Sequence, residues 1–454
     1  MKARNLFSLG ALLALFVSPS FAQNGPKEET LVLTLPQAVT MALEWNVDVA
    51  LAELDVQTFR SQYKQAIGMA IGDLKATASY ERNVKRPAAF FALPDSTGAT
   101  TKQKFPVGSD NSFAAGLSFE QPLFSGGRIS SGITGGKKRI EAGKEVLRGT
   151  REDVAFAVKE LFYSYLLANA TVSIQNDNQA LTQAHLATIR ERYRQGLDSD
   201  LIVLRQQVEV ANADTQSIAA RNVEDLAITN LQRVLFLDVD RPLKLVGKLE
   251  PPSVEMPDYE NVTRQAMAKN AALSVAQKKV TVAEDFYRIV RADRLPDLKG
   301  FANLNWVGQS DGFSPGPAER NYDFGAGAKL EWRLFTGGEI RERVAQARID
   351  IDRARKEEAK IEREIRVAVK QQWLNVRESR ERARAQEASV GQATRAVQAT
   401  EIRYKQGDAS QLELNDATFA LNRARTAYAQ ASHDYWVARA GLERVTGTSL
   451  EEVR

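Results

Sequence analysis

A block of this chain is written twice at a constant distance. Phe119-Glu-Gln-Pro-Leu-Phe-Ser-Gly-Gly-Arg-Ile129 returns as Leu330-Glu-Trp-Arg-Leu-Phe-Thr-Gly-Gly-Glu-Ile340, 211 residues on. Arg192-Tyr-Arg-Gln-Gly196 returns as Arg403-Tyr-Lys-Gln-Gly407 at the same separation, and Ala157-Val-Lys159 as Ala368-Val-Lys370. An offset that never changes admits no net insertion, which is the behaviour of rigid helices, whereas loops drift in length. Upstream, Ala42-Leu43-x-x-Asn46 matches Ala266-Met267-x-x-Asn270 at an offset of 224, so the first copy carries 13 extra residues between its first helix and its second strand. The expected organisation is a tandem duplication: a first repeat over 23–237, a Pro-rich linker over 238–257, a second repeat over 258–447 and a tail over 448–454.

Each repeat reads in one order: helix, strand, loop, strand, very long helix, turn, second long helix. The prolines support it. The chain has 14, yet 119 residues between Pro122 and Pro242 and all 137 after Pro317 contain none. Proline removes a helical donor and clashes with the preceding turn, so stretches this long without it favour very long helices over several compact domains. Positions 340, 344, 347, 351, 354, 358, 361, 365, 368 and 372 alternate in steps of four and three, and eight of the ten are apolar. Val376, Ala383, Val390, Val397 and Tyr404 continue at intervals of seven. That is a coiled-coil seam. A helix from about Ser130 to Arg194 would run about 100 Å at 1.5 Å per residue.

Two hairpins, at 74–123 and 297–334, show the period of strands. Tyr322, Phe324, Ala326, Ala328, Leu330, Trp332 and Leu334 share one face, and Asp323, Gly325, Gly327, Lys329, Glu331 and Arg333 the other. Leu74, Ala76, Ala78 and Tyr80 oppose Lys75, Thr77, Ser79 and Glu81; Phe113, Ala115, Leu117 and Phe119 oppose Ala114, Gly116, Ser118 and Glu120; Leu298, Ala302, Leu304 and Trp306 oppose Lys299, Asn303 and Asn305. About ten residues with one apolar and one polar face describe a transmembrane barrel strand. A half-buried soluble sheet has the same period. Trp306, Tyr322, Trp332, Tyr80 and Phe113 sit near strand ends, where a membrane girdle would lie. Four strands cannot close a barrel whose smallest members have eight, so several chains would have to share one.

The barrel reading gains from the N-terminus. Lys2 and Arg4, a short apolar core from Leu6 to Val17, and Ser20-Phe21-Ala22 read as a secretory signal peptide over 1–22, cleaved before Gln23. Twelve apolar residues are too few for a helical span, which needs about twenty. No other run approaches that length, so the chain would cross a membrane only with strands. With no cysteine there is no thiolate nucleophile and no Cys-ligated metal, and His185 and His433, the only histidines, are far apart in sequence. No cofactor or metal site is expected. A formal net charge of +4, spread along the chain, does not point to nucleic acid. Ser131-Gly-Ile-Thr-Gly-Gly-Lys-Lys138 is phosphate-loop-like, but Ser131 stands where the first glycine belongs and Lys138 replaces the final hydroxyl residue. An enzyme is not expected. A soluble periplasmic coiled-coil scaffold or adaptor is the competing reading.

With Leu-Phe-Ser-Gly-Gly and Leu-Phe-Thr-Gly-Gly after each hairpin and Tyr-x-x-Gly at each helix turn, the sequence resembles the TolC-like outer membrane efflux factors, from about Leu35 to Gly447. The resemblance implies a mainly α fold with membrane β: a tandem-repeat coiled-coil tube (an α-barrel) plus four transmembrane strands per chain, closing as a homotrimer into a shared 12-stranded β-barrel. It implies a passive exit duct in the outer membrane of a Gram-negative bacterium, its helical tunnel in the periplasm. Its partners would be outer membrane lipid, a periplasmic adaptor and an inner-membrane pump, proton-driven (RND) or ATP-driven (ABC), in tripartite efflux or type I secretion. The loops 83–110 and 308–321 would face outside. Gly196, Leu197 and Gly407 would be adaptor-contact turns at the periplasmic tip. Glu413 and Asp416, three apart on one helical face, align with the family's acidic pore constriction; their first-repeat counterparts, Ile202 and Arg205, are not acidic. Tyr404 falls on the gate tyrosine, but the gate arginine is Ala409 and the gate aspartate Ile202, so resting closure is expected to use other contacts. Asp198 and Asp200 lie near, with Arg205 or Arg403 as partners.

Overall fold

The computed structural model describes residues 30–94, 98, 100–251 and 256–448. The expected signal peptide and nearly all of the tail lie outside them. Among the described residues no helix is long and apolar enough to cross a membrane.

Two helices set the scale: α3 (Arg128–Arg194, 67 residues) and α7 (Glu339–Gln406, 68 residues). At 1.5 Å per residue each is about 100 Å long. Both start from the second glycine of their Gly-Gly pair, Gly127 at φ +88° and Gly338 at φ +92°, where a side chain would be strained. Each reverses through a short turn into a partner half its length, α4 (Asp200–Val234) and α8 (Gln411–Thr446). Helix α3 packs against α4 and α8, and α8 against α7, so the four lie side by side in the order α4, α3, α8, α7. The expected α7 seam is present: Ile340, Val344, Ala347, Ile365, Val376, Ala383, Val397 and Tyr404 are buried, and the intervening seam residues are half-buried. The join between the repeats, α3 against α8, mixes apolar and polar contacts: Tyr163 stacks on Trp436 at 5.1 Å, and Leu414 packs with Leu186 and Ile189. Arg444 pairs with Asp153, Lys159 with Glu443 and Arg425 with Asp177, while Ser164 meets His433 and Asn422 meets Asn178.

The single helix expected ahead of each first strand is two. α1 (Leu35–Trp45) and α2 (Val47–Ile71) are broken at Asn46; α5 (Tyr259–Lys269) and α6 (Ala271–Ala292) are broken at Asn270. Both asparagines leave the helical region and cap the next helix, Asn46 accepting from the Asp48 N–H and Asn270 from the Leu273 N–H. Each side-chain amide also donates across the fold, to the Val234 carbonyl at 3.4 Å and the Val445 carbonyl at 2.8 Å. These helices feed two main cores, one around Ala38, Val158, Phe162, Leu231 and Leu235, the other around Val262, Val369, Tyr435 and Leu442.

The expected linker is not featureless. It holds β6 (Leu243–Val246), which pairs in parallel with β1 (Leu31–Thr34), tying the start of the first repeat to the segment that follows it. The Trp436 indole donates to the Leu249 carbonyl at 3.0 Å and Trp373 to Pro257 at 3.1 Å, anchoring the segment on either side of 252–255.

Strands β2 (Asp73–Arg82), β5 (Asn111–Phe124), β7 (Asp297–Ser310) and β8 (Arg320–Glu331) form one antiparallel sheet in the order β2-β5-β7-β8. Its register lines up the apolar residues across all four strands. Leu74, Phe119, Ala302 and Ala326 form one row; Ala76, Leu117, Leu304 and Phe324 the next; Ala78, Ala115, Trp306 and Tyr322 a third. The opposite face carries the Lys299–Glu120 ion pair (3.0 Å) and the Asn305–Asp323 contact. Both edges, β2 and β8, are unpaired among the described residues. The loop expected over 83–110 instead contains a second two-stranded ribbon, β3 (Ala88–Pro94) against β4 (Thr100–Pro106).

Candidate functional site at the helix turns

The two turns are built alike. In the first, the Gly196 N–H donates to the Tyr193 carbonyl and Leu197 N–H to Arg192; in the second, Gly407 donates to Tyr404 and Asp408 to Arg403. This pair of bonds closes a helix end around a left-handed residue. Gly196 at φ +76° and Gly407 at φ +86° supply that residue without the steric cost of a Cβ. Both glycines face open space, and Leu197 is 62% exposed. The return helices are capped differently. The Ser410 hydroxyl accepts from the Glu413 N–H while Glu413 Oε2 accepts from the Ser410 N–H at 2.7 Å, a capping box. Ser199 makes no such side-chain bond.

Above the turns the duplicated positions diverge. Tyr193 is 47% exposed, whereas Tyr404 is 5% exposed, within a cluster with Leu186, Ile189, Val203 and Leu414. Ile202 and Ala409, the positions that the resemblance assigns to a gate, are apolar packing around this cluster. The Tyr404 hydroxyl lies 3.4 Å from Asp198 Oδ2. Arg192 Nε donates to the same oxygen at 3.0 Å, and its guanidinium stands 5.2 Å from the Tyr404 ring centre. Asp198 therefore pairs with Arg192, not with the expected Arg205 or Arg403; Arg403 donates instead to the Asp408 carbonyl. The hydrogen bond to Asp198 holds the Arg192 guanidinium above its ordinary pKa. Burial, then the charge of Asp198, raises the Tyr404 phenol. Arg192 escaped sequence reading because it lies six residues before Asp198, across a reversal whose geometry spacing alone does not reveal.

Glu413 and Asp416 are both exposed on α8, and Glu413 is engaged in its own helix cap. Higher in the bundle, α3, α4 and α8 frame an open, polar-lined groove with Asn178, Thr182, His185, Glu209, Asn415 and Asn422, among others. His185 is buried with its Nε2 unpartnered, and burial lowers its pKa. The phosphate-loop-like segment 131–138 is continuous α3 helix, and Lys138 ends in an ion pair with buried Asp285 at 2.8 Å, leaving no loop to cradle a phosphate. Among the described residues no group of His, Asp and Glu could hold a metal ion.

The family model described as outer membrane efflux protein matches residues 38–235 and 262–448. The alkaline protease secretion protein AprF of Pseudomonas aeruginosa is 25% identical over 425 residues, 93% of this chain and 86% of that protein. The outer membrane protein TolC of Vibrio cholerae is 23% identical over 382 residues, covering 81% of this chain and 87% of that one. Among solved structures, the Campylobacter jejuni CmeC outer membrane channel superposes with a TM-score of 0.75 at 15% identity, covering 91% of this chain and 85% of that one. CusC superposes with a TM-score of 0.75 at 18% identity, covering 95% and 96%.

Proposed function

We propose, from the premise that the chain belongs to the outer membrane efflux protein family, that three copies close one barrel and one helical tube around a common axis. The chain is an outer membrane exit duct of the efflux and secretion type and not an enzyme. The competing soluble scaffold or adaptor finds no support in these likenesses.

One observation carries the shared-barrel reading: a sheet with apolar rows in register on one face and, among the described residues, both edges open. Four strands are too few for closure, and three copies supply twelve. The aromatic pair Trp306–Tyr322 marks one level and Trp332 the other. Ten residues at about 3.3 Å each, tilted by about 40°, make a band about 25 Å tall, the height of an outer membrane barrel's apolar belt. Each repeat, 23–237 and 258–447, then contributes one strand pair and one helix pair, with 238–257 as the belt between them. The apolar outer face of α4, with Leu201, Leu204, Val208 and Ile218 exposed, is covered by α7 of the next copy.

In this reading the turns at Gly196, Leu197 and Gly407 form the periplasmic end and receive an adaptor, which in turn engages an RND or ABC pump that supplies the energy. Glu413 and Asp416 from three copies place six carboxylates around the axis, flanking Leu414, which packs with Tyr404. The test is the mass of the detergent-solubilised complex together with conductance in planar bilayers. A trimer that conducts supports the reading; a monomer recovered in the soluble periplasm overturns it.

A further inference from the structure

The first repeat's 13 extra residues fall between β2 and β5, where the chain builds the β3–β4 ribbon. The matching connection in the second repeat holds only a single turn of 3-10 helix at Pro317–Glu319. A lone two-stranded ribbon is marginally stable in water, and this one exposes a phenylalanine on each face. Phe91, Leu93 and Phe105 share one face, the two rings edge-on at 5.8 Å. Phe90 lies opposite Lys104 and Ala92 opposite Lys102 on the other. Phe90 is 66% and Phe91 54% exposed. Neither strand contains a carboxylate.

The base of the ribbon is held firmly to the sheet. Arg86 bonds Asp110 at 2.8 Å and Asp311, from the second repeat's loop, at 2.5 Å. The Asn83 side chain donates to the Ser109 carbonyl, and the Val107 N–H to Pro87. The ribbon is thus an arm fixed at the end of the sheet remote from the helices.

We infer that this arm lies in the phosphate-bearing headgroup layer of the outer membrane surface, with Lys102 and Lys104 on lipid phosphates and Phe90 at the boundary with the acyl chains. Aromatic rings settle at membrane interfaces, and lysines lay their stems along apolar surface while the ammonium reaches the polar layer. Charge selects this occupant over a second copy of the arm. Three arms packed on one another would crowd six ammonium groups with no strand carboxylate to neutralise them, whereas an anionic surface attracts them all. The inference rests on the sheet spanning the membrane.

The chain lacks cysteine, so Ala92→Cys in the full-length trimer accepts a single nitroxide per copy, and Leu117→Cys provides a reference label on the sheet. Both are reconstituted into phosphatidylcholine vesicles with and without lipid A, and each label's access to oxygen and to a water-soluble nickel chelate is measured. The Ala92→Cys label moves into the lipid-contacting population only when lipid A is present. Lys102→Gln with Lys104→Gln lowers the ratio of lipid-contacting to water-exposed label about thirty-fold, the equivalent of about 1 kcal/mol per lysine near an anionic surface. A label equally water-exposed in both vesicles while Leu117→Cys reports lipid overturns the inference and leaves the channel reading standing. Dipolar broadening between Ala92→Cys labels overturns it in favour of arms packed together. A Leu117→Cys label in water overturns both readings.

Discussion

The hydroxyl of Tyr404, on the second repeat, meets the carboxylate of Asp198, on the first, at 3.4 Å, so this contact joins the two turns directly. Arg192 completes a three-member group with Asp198 at its centre. Asp198→Ala strips both partners at once and is expected to raise single-channel conductance and its fluctuation in planar bilayers. Tyr404→Phe removes only the 3.4 Å bond to Asp198, leaves the Arg192–Asp198 pair in place and changes conductance little. Unchanged conductance in Asp198→Ala would show that the group does not hold the tip.

The acidic pair can be separated from its helix cap. Glu413→Gln preserves the capping geometry, since glutamine also completes a capping box, and Asp416→Asn touches no cap. Each is expected to raise the concentration of a trivalent cation needed to halve the conductance, with the double substitution abolishing block. Unchanged block in the double variant would place these carboxylates away from the conduction path.

Gly407→Ala places a Cβ on a left-handed residue facing open space, so its cost is backbone strain of about 1 kcal/mol. Thermal unfolding in detergent should show a modest fall. Crosslinking to a periplasmic adaptor should fall further than that destabilisation explains if the turn is a contact. If crosslinking is unaffected, the glycine serves the turn alone.

Asn270→Ala deletes a helix cap and a 2.8 Å bond to Val445 together, a loss of about 2 kcal/mol. Asn46→Ala is expected to cost less, because its bond to Val234 is 3.4 Å long. Chemical denaturation midpoints rank the two, and the opposite order would refute the assignment.

Burial lowers the pKa of His185, with Glu401 and Lys405 pulling it in opposite directions. The unfolded chain therefore takes up this proton at a higher pH than the folded one. Stability contributed here is retained above about pH 6.5 and falls as the pH drops below it. His185→Gln should flatten that part of the stability–pH curve, and a curve unchanged by the substitution would show that the buried imidazole does not titrate there.

What could be read from the residues divides by range. The offset of 211 located both turns, and the period of two assigned Leu74 and Phe324 to the faces they occupy in the sheet. Leu31–Thr34 and Leu243–Val246 are four residues each and far apart in sequence, too short to carry a period, so their pairing escaped. The arm escaped because Ala88–Pro94 is apolar on both faces and ends in proline, and it lacks the alternation that marked its neighbours. Asn46 and Asn270 were noticed as a match, but a helix break depends on where the side chain finds its acceptor, and both acceptors lie more than a hundred residues away.

The long helices and the arm also differ in what they tolerate. One residue added inside α3 would turn every later side chain by about 100° and carry the seam off its partner. The arm's connection has absorbed 13 residues while β2 and β5 keep their pairing. An epitope, a fluorophore-binding peptide or a surface-display cargo spliced at the arm's tip would therefore leave the tube intact, whereas the same insertion in the tunnel would dismantle it.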